Sequence, residues 1–266
     1  MITIKIGGSI VDSLHPSAIP DIKKAAAGGV VLVHGGGKEV TKVCEQLGKE
    51  PRFVTSPGNI KSRYTDKETA EIFTMVMSGR INKCIVRMLQ QHGVNAVGLS
   101  GIDGGLIRAE RKSRLVIVNE RGRKQAIEGG YTGRITSVNS ELLETLLGKG
   151  IVPVVSPIAM GNEYELLNVD GDRAAANIAG ATKSERILFV TDVDGLMMDE
   201  KLVSRLSAAE AEEIRPKIGP GMEKKVLAAT EALKMGVREA IIARGSRENP
   251  VSAAIAHENC TVIGDG

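Results

Sequence analysis

Short apolar runs alternate along the chain with stretches whose apolar residues recur at helical spacing. The runs predict buried strands, and the stretches between them predict helices that cover the resulting sheet. The predicted strands are Ile2–Ile6, Val30–Val33, Val94–Leu99, Ile151–Ser156, Arg186–Thr191 and Glu239–Ala243. The predicted helices are Ala18–Ala27, Lys38–Gly48, Lys67–Gly93, Glu141–Leu147, Asp170–Gly180, Ser207–Glu213 and Met222–Met235. Such alternation is typical of an α/β fold with a mostly parallel central sheet.

The segment Ile102–Val138 departs from this alternation. It combines short strand-like runs with a charged turn at Glu120–Arg123, which predicts a β-rich hairpin region set against the sheet. A chain of 266 residues is long enough for one large domain or two joined lobes. Because no Pro/Ser-rich linker and no internal repeat interrupts the chain, we expect a single domain with a weakly marked lobe boundary near Pro157–Leu167.

Composition narrows the class of protein. Aromatic residues make up only 2% of the chain, so aliphatic side chains must form the core. No apolar run is long enough to span a membrane, and no signal-peptide pattern is present. Cys44, Cys84 and Cys260 are odd in number and far apart, which indicates a reduced, cytoplasmic protein rather than intermolecular disulfides. The net charge of +3 is too small to indicate nucleic-acid binding.

Positive charge is concentrated between Arg108 and Lys124. This stretch contains seven basic residues against Glu110 and Glu120. One interpretation is a solvated hairpin, and the other is a docking surface for an acidic partner. Composition alone leaves both open.

Three glycine clusters lie where predicted strands end or helices begin. Without side chains, their backbone N–H groups can approach an anion, and a following helix N-terminus adds its positive dipole end. Two such turns in one parallel sheet lie at the same carboxyl edge, so we expect a phosphate there, although glycines can also serve only as tight turns. The clusters are Lys5–Ser9, His34–Gly37 and Gly219–Gly221.

The common phosphate and catalytic motifs do not account for these clusters. Glu39 follows Gly37-Lys38 where a P-loop needs Ser or Thr, and Val40 stands where a dinucleotide fingerprint needs a third Gly. A dehydrogenase is therefore a weak alternative. The chain lacks a Gly-x-Ser-x-Gly elbow, and its four histidines are too scattered to supply an evident general base.

Two lysines and a pair of aspartates carry candidate chemistry. Lys5 lies inside an apolar strand directly before a Gly pair, and Lys225 lies at a helix start, where a cation opposes the helix dipole. Each could be an ordinary surface lysine or could face an anion. Asp170 and Asp172 could cap the next helix, organise the lysines or bind magnesium. A carboxylate acceptor would need no general base, because a pKa of roughly 4 leaves it ionised at pH 7.

Six short motifs in order resemble the amino acid kinase family over essentially the whole chain. The resemblance implies a three-layer α/β/α sandwich and the use of ATP with Mg²⁺. It also implies an acceptor-binding lobe over about residues 1–160, which includes the hairpins, and an ATP-binding lobe over about residues 161–266. The motifs are Lys5-x-Gly7-Gly8, His34–Gly37, Ser62–Asp66, Asn168–Asp172, Thr191–Gly195 and Gly221-Met222-x-x-Lys225.

The family resemblance implies a role for each site residue. Lys5 and Lys225 would neutralise the transferring phosphoryl group, and Asp170 would hold the two lysines in place. Arg63 would grip the acceptor's α-carboxylate with Asn168 beside it. No metal ligand is assigned. The N–H groups of Gly7, Gly8, Gly35 and Gly36 would bind phosphate, with Gly35 and Gly36 also next to the acceptor, and Thr191 and Asp192 would belong to the nucleotide site.

Within the family, the chain is similar to the N-acetylglutamate-kinase-like branch. Three segments resemble a subgroup that phosphorylates the side-chain carboxylate of 2-aminoadipate or glutamate while the amino group is attached to an acidic carrier protein. Tyr131-Thr132-Gly133 replaces the apolar Val-Gly expected of the N-acetyl enzymes. The segments are Arg52–Pro57 leading to Ser62–Asp66, Gly98–Gly104 and Gly129–Gly133.

This resemblance implies a place in lysine biosynthesis, and possibly arginine biosynthesis. The acidic carrier would give the basic stretch Arg108–Lys124 a purpose, and an acyl-phosphate reductase would act downstream. We expect a homodimer or larger assembly and no nucleic-acid or membrane partner. The alternatives are N-acetylglutamate kinase and a non-catalytic nucleotide-binding regulator, which would be expected to lack Lys5 or Lys225.

Overall fold

The computed structural model of the protein describes residues 1–8, 13–58, 60–219 and 221–264. Ser9 and Pro220, which belong to two of the glycine clusters, lie outside these ranges. The strands, in chain order, are β1 Ile2–Ile6, β2 Val30–His34, β3 Phe53–Thr55, β4 Lys61–Arg63, β5 Ala96–Ser100, β6 Ile107–Arg111, β7 Arg114–Val118, β8 Lys124–Glu128, β9 Gly133–Val138, β10 Val152–Ser156, β11 Ile158–Met160, β12 Leu166–Asn168, β13 Arg186–Thr191, β14 Met197–Met198, β15 Lys201–Leu202, β16 Arg205–Leu206, β17 Glu239–Arg244 and β18 Thr261–Ile263. The helices are α1 Ala18–Ala26, α2 Gly37–Gln46, α3 Lys67–Thr74, α4 Asn82–Gln91, α5 Ser140–Gly148, α6 Gly171–Ala181, α7 Ala208–Ile214, α8 Met222–Lys234 and α9 Pro250–Ile255.

The central sheet of the described chain has the strand order β16-β18-β17-β13-β1-β2-β10-β5. Strand β1 lies between β13 and β2 and is parallel to both. The antiparallel pairing in this sheet joins β17 to β18. The prediction of a mostly parallel sheet is therefore confirmed, and the segments that follow β1, β2 and β13 all leave the sheet at one edge.

Each central strand is buried on both faces, which explains why it appears in the sequence as a continuous apolar run. In β1, Ile4 and its neighbours on one face pack with α1, α2, α4 and α9. In β13, Ile187 and Phe189 face the opposite core, which also contains Leu143 of α5 and the alanines of α6 and α8. Helices thus cover both faces of the sheet, and the predicted three-layer α/β/α arrangement is confirmed.

The region around residues 102–138 is rich in strands, as predicted, but it builds more than hairpins. Strands β6 and β9 pair with each other and join β11 and β12 in a second sheet of order β12-β11-β6-β9. Strands β7 and β8 form a separate hairpin, as do β3 and β4. The second sheet was not predicted, because β6 pairs with β9 and with β11 across distant parts of the sequence.

The predicted long helix over residues 67–93 is interrupted. A π-helix at Met75–Ile81 separates α3 from α4. Its wider turn brings Ser78 within 3.0 Å of Ser156, measured between the two hydroxyl oxygens. π-Helical insertions often occur beside functional sites, and this one packs against the glycine turn described below.

Helices that could cross a membrane are absent from the described residues, since none of them combines sufficient length with sufficient hydropathy.

Candidate active site

Two neighbouring cavities open beside the carboxyl edge of the central sheet. The glycine cavity, about 620 Å³, is lined by Lys5, the turn after β2, and the first residues of α6 and α8. The hairpin cavity, about 570 Å³, lies between the two hairpins and the exposed sides of α6 and α8. Both cavities are lined by Ser62, Arg63, Asn168, Val169, Asp170 and Lys224.

A buried carboxylate joins the two lysines that the sequence singled out. Asp172 Oδ1 lies 2.7 Å from Lys5 Nζ, and Asp172 Oδ2 lies 3.5 Å from Lys225 Nζ. Burial by itself raises the pKa of Asp172, but the two ammonium groups outweigh burial and hold this pKa below its usual value. The cluster therefore holds an ionised carboxylate between the two lysines at the end of β1.

The prediction that Asp170 holds the two lysines is wrong. Asp170 is the N-cap of α6, where its Oδ1 accepts hydrogen bonds from the N–H groups of Asp172 (3.0 Å) and Arg173 (3.1 Å). Its other carboxylate oxygen lies 4.0 Å from Lys224 Nζ. Because α6 begins at Gly171, the side chain of Asp170 turns back to cap the helix, and Asp172 in the first turn reaches Lys5 instead.

The glycine turns after β1 and β2 approach each other closely. A Cβ atom on Gly8 would lie 2.2 Å from the backbone nitrogen of Gly36, so a side chain cannot fit there. A Cβ atom on Gly36 would lie 2.1 Å from Ile81 Cδ1 and 2.6 Å from Met77 Sδ in the π-helix. These glycines are needed for close backbone packing, beyond any contact with phosphate.

The expectation that four glycine N–H groups bind phosphate is wrong for two of them. The N–H group of Gly7 donates to the carbonyl of Val190 (3.0 Å), and that of Gly35 donates to the carbonyl of Ile6 (2.9 Å). Both groups therefore complete hydrogen bonds between neighbouring parallel strands. Gly8 and Gly36 lie one residue further out, and their N–H groups remain the candidates for phosphate contact.

Arg63 and Asn168 both line the two cavities, and their predicted role in holding an acceptor stays a prediction. Arg63 Nη2 donates to the carbonyl of Gly37 (2.9 Å) and to Thr41 Oγ1 (2.6 Å). Its Nη1 is buried and has no partner among the described residues. Asn168 Nδ2 donates to Thr65 Oγ1 (3.0 Å). The arrangement leaves one guanidinium nitrogen for an anionic group beside Asn168.

Behind the glycine turn lies a buried network that sequence reasoning missed. His34 Nδ1 donates to the carbonyl of Gly35 (3.0 Å), while Asn82 Nδ2 lies 3.2 Å from His34 Nε2 and 2.8 Å from the carbonyl of Val154. Burial, aided by the charge of Lys5, lowers the pKa of His34 to about 4. The imidazole is therefore neutral at pH 7 and supports the turn. The His34–Gly37 motif gave a signal for His34, but nothing pointed to Asn82.

Lys224 was also missed by sequence reasoning. Its Nζ donates to the carbonyl of Lys61 in β4 (2.8 Å), so it links the start of α8 to the β3–β4 hairpin. The neighbouring Lys225 points to Asp172, and the two adjacent lysines thus serve different contacts.

Thr191 and Asp192 lie at the carboxyl end of β13, next to β1 in the sheet. Thr191 Oγ1 donates to Asp192 Oδ1 (3.1 Å). Neither residue lines either of the two cavities. Their assignment to a nucleotide site stays a prediction.

Comparisons with known proteins add to this geometry. The amino acid kinase family matches residues 1–244. The chain is 70% identical over 264 residues, 99% of both sequences, to a Nitrosopumilus maritimus protein named LysW-aminoadipate/LysW-glutamate kinase. A Metallosphaera sedula protein with this kinase name is 46% identical over 257 residues, 96% of this chain and 97% of that protein.

Solved structures share the fold. The smu.665 protein of Streptococcus mutans superimposes with a TM-score of 0.80 at 21% identity, covering 99% of this chain and 98% of that one. Isopentenyl phosphate kinase superimposes with a TM-score of 0.65 at 20% identity, covering 99% of each chain. The match of the family over residues 1–244 and the relatives that span nearly the whole chain show that the chain belongs to the amino acid kinase family.

Proposed function

We propose that the protein transfers the γ-phosphoryl group of ATP to the side-chain carboxylate of 2-aminoadipate or glutamate carried by its amino group on an acidic carrier protein. The observation that carries this proposal is the Lys5–Asp172–Lys225 cluster, which lies at the glycine turns and adjoins Arg63 and Asn168. The names of the relatives at 70% and 46% identity support the acceptor.

The chemistry needs positioning and charge neutralisation more than proton transfer. The acceptor carboxylate, with a pKa of roughly 4, is already ionised at pH 7. One of its oxygens forms a bond to the γ-phosphorus while the bond from that phosphorus to the bridging oxygen of ADP breaks. The products are an acyl phosphate and ADP. Lys5 and Lys225 would stabilise the negative charge of the transferring group from two sides.

The glycine cavity fits the triphosphate of ATP. The backbone N–H group of Gly36 and the ammonium groups of Lys5 and Lys225 line this cavity and are suitable donors. Gly8 packs against Gly36, and neither glycine places a side chain there. Groups of three or more His, Cys, Asp or Glu side chains that could hold a metal are absent from the described residues. Mg²⁺ would therefore be bound mainly by phosphate oxygens and water, and it would neutralise phosphate charge.

We choose the carrier-linked acceptor over free N-acetylglutamate for two reasons. The relatives are named for the carrier-linked substrates, and Thr132 takes the place of an apolar residue. The presence of both Lys5 and Lys225 argues against a non-catalytic regulator. We keep the division into an acceptor lobe and an ATP lobe as a proposal. Because β11 pairs with β6 and β12 pairs with β11, we propose a boundary near residue 169 in place of one at residue 160.

We assign docking of the acidic carrier to the exposed part of the basic stretch. Arg114, Arg121, Arg123 and Lys124 are exposed and form no ion pair with any described residue. Arg111, in contrast, packs over the ring of Tyr131 at 4.2 Å and donates to the carbonyl of Gly130. The outer β7–β8 hairpin thus presents a positive surface. A reductase of acyl phosphates would consume the product, and the dimeric and cytoplasmic states remain predictions.

The test is ATP consumption with three acceptors: carrier-linked aminoadipate, carrier-linked glutamate and free N-acetylglutamate. Hydroxylamine added to each reaction would trap the acyl phosphate as a hydroxamate. We expect ATP consumption and trapping with the carrier-linked acceptors. Turnover with N-acetylglutamate alone would keep the chemistry but overturn the acceptor. If none of the three acceptors is turned over, the proposed function is wrong.

A further inference from the structure

The hairpin cavity contains polar groups that the phosphoryl transfer does not use. Thr132 Oγ1 is buried and has no hydrogen-bond partner among the described residues. Lys112 is only partly exposed, and its ammonium group has no ion pair or hydrogen bond within the described chain. Burial, followed by the charge of Arg173, lowers the pKa of Lys112, so the surroundings disfavour its positive charge when no anion is present.

The other cations of this cavity have partners. Arg173 makes a bidentate pair with Glu231, at 2.8 and 2.7 Å. Lys234 Nζ lies 2.9 Å from Glu212 Oε1, and Lys224 donates to the carbonyl of Lys61. Much of the remaining wall is apolar and includes Ile60, Leu115, Ile135, Leu227 and Met235. The ammonium group of Lys112 therefore lacks an ion pair or hydrogen bond among the described residues, and it lies beside an apolar wall of the cavity.

Backbone pairing fixes how far Lys112 lies from the acceptor site. The N–H group of Lys112 donates to the carbonyl of Thr132 (2.9 Å), and Thr132 forms a parallel bridge with Asn168. Neighbouring strands lie roughly 4.8 Å apart, so the backbone of Lys112 is about 10 Å from that of Asn168. Asn168, Thr132 and Lys112 therefore form a row that leads from the acceptor site into the hairpin cavity.

We propose that the hairpin cavity receives the amide-linked extension on the acceptor's amino group and that Lys112 binds a carboxylate on this extension. The inference rests on the proposed function, because it takes Arg63 and Asn168 to hold the acceptor's α-carboxylate. With the acceptor's side chain in the glycine cavity, its amino group faces the other cavity that these two residues line. Thr132 Oγ1 is placed beside the amide, and the apolar wall suits the carbon chain between amide and carboxylate.

The experiment compares two synthetic acceptors that differ at one end. N-glutaryl-2-aminoadipate and N-pentanoyl-2-aminoadipate have acyl chains of equal length, but only the glutaryl chain ends in a carboxylate. Calorimetric titration of the full-length protein gives a Kd for each. We expect the glutaryl compound to bind about tenfold more tightly, as is typical of one charge-assisted hydrogen bond. Equal Kd values, or no binding of either compound, would overturn the proposal.

Variants locate the effect. Lys112→Met should abolish the difference between the two compounds by weakening only the glutaryl one, and Lys112→Arg should retain part of it. Lys234→Met is the matched control: it removes a lysine from the same cavity, but one whose ammonium is already held by Glu212. A preference that survives Lys112→Met, or that Lys234→Met abolishes equally, would overturn the assignment to Lys112.

This binding measurement does not need turnover. If neither carrier-linked acceptor is phosphorylated but the glutaryl preference depends on Lys112, the proposed function fails while the subsite stands. If the carrier-linked acceptors are phosphorylated and the two compounds bind equally, the subsite fails while the proposed function stands.

Discussion

In the glycine cavity the buried charges are paired with one another, whereas in the hairpin cavity Lys112 has no partner among the described residues. Lys5, Asp172 and Lys225 come from a central strand and from two helices packed on the sheet, and their positions are fixed before any ligand binds. Lys112 follows a strand of the outer second sheet. The first arrangement suits a chemical step that needs preorganised charge, and the second suits recognition of a ligand that brings its own charge.

This difference predicts that changes in the glycine cavity alter stability and turnover, and that changes in the hairpin cavity alter acceptor binding. The largest effect should come from Asp172→Asn. Removing one partner of a buried ion pair typically costs about 3–5 kcal/mol, because the other charges stay buried without compensation. Chemical denaturation should show this loss in the free energy of unfolding. Asp170→Asn is the matched control, and it should cost little because Asn is an equally good N-cap.

The same pair of variants gives a pH test. Because the folded-state pKa of Asp172 lies below its unfolded value of roughly 3.9, the carboxylate contributes stability above that value. This contribution should be lost as pH falls below about 4 and through the folded pKa. The difference in unfolding free energy between the wild type and Asp172→Asn should therefore narrow in this range. A difference that stays constant down to pH 2 would show that Asp172 is not the titrating group.

Lys225→Ala should reduce kcat by roughly 10²–10³-fold, the usual loss when one preorganised donor to the transition state is removed. Its effect on the acceptor's KM should be small, because Lys225 contacts Asp172 and not the hairpin cavity. Steady-state kinetics with saturating ATP would measure both constants, and circular dichroism would verify the fold. Lys234→Ala, on the same helix, serves as the control. An unchanged kcat would remove Lys225 from the mechanism.

The central sheet, which carries the glycine cavity, was easier to predict from the sequence than the second sheet, which carries Lys112. Ile2–Ile6 and Arg186–Thr191 were predicted with their observed bounds, since a strand buried on both faces gives a continuous apolar run. The second sheet could not be predicted, because its β6–β9 and β6–β11 pairings join segments that are far apart in the sequence. Lys112 was noticed only as one charge in a basic stretch, for the same reason.

Within the site, the residue types were predictable, but some of their contacts were not. Lys5, Lys225, Arg63 and Asn168, from four separate motifs, all line the glycine cavity. The choice between Asp170 and Asp172 depended on whether α6 begins at residue 170 or 171, and a boundary cannot be predicted to one residue. The contact of Asn82 with His34 spans 48 positions in the sequence, and no local pattern encodes it.

Arg63 lines both cavities, so its loss tests the border between them. Arg63→Ala should raise the acceptor's KM by about 10–100-fold, because a hydrogen bond to a charged group is typically worth about 1.5–3 kcal/mol. The KM for ATP should change little. Kinetics with each substrate varied in turn would separate the two effects. A rise in KM for ATP alone would assign Arg63 to the nucleotide site and would contradict its role in acceptor binding.

The smallest effect should come from the exposed hairpin, which is furthest from the reacting atoms. Arg121→Glu combined with Arg123→Glu should raise the KM for a carrier-linked acceptor by about three- to tenfold at low salt, since surface charges act mainly on encounter. The effect should disappear near 1 M salt, where the Debye length is about 3 Å. Binding of N-glutaryl-2-aminoadipate should not change, because neither arginine lines the hairpin cavity.

Lys24→Glu combined with Lys149→Glu reverses two exposed charges elsewhere and controls for net charge. An equal effect in both double variants would mean that only net charge attracts the carrier. An unchanged KM in the hairpin variant would remove the hairpin from the docking surface and leave Lys112 as the part of the basic stretch with a role in binding.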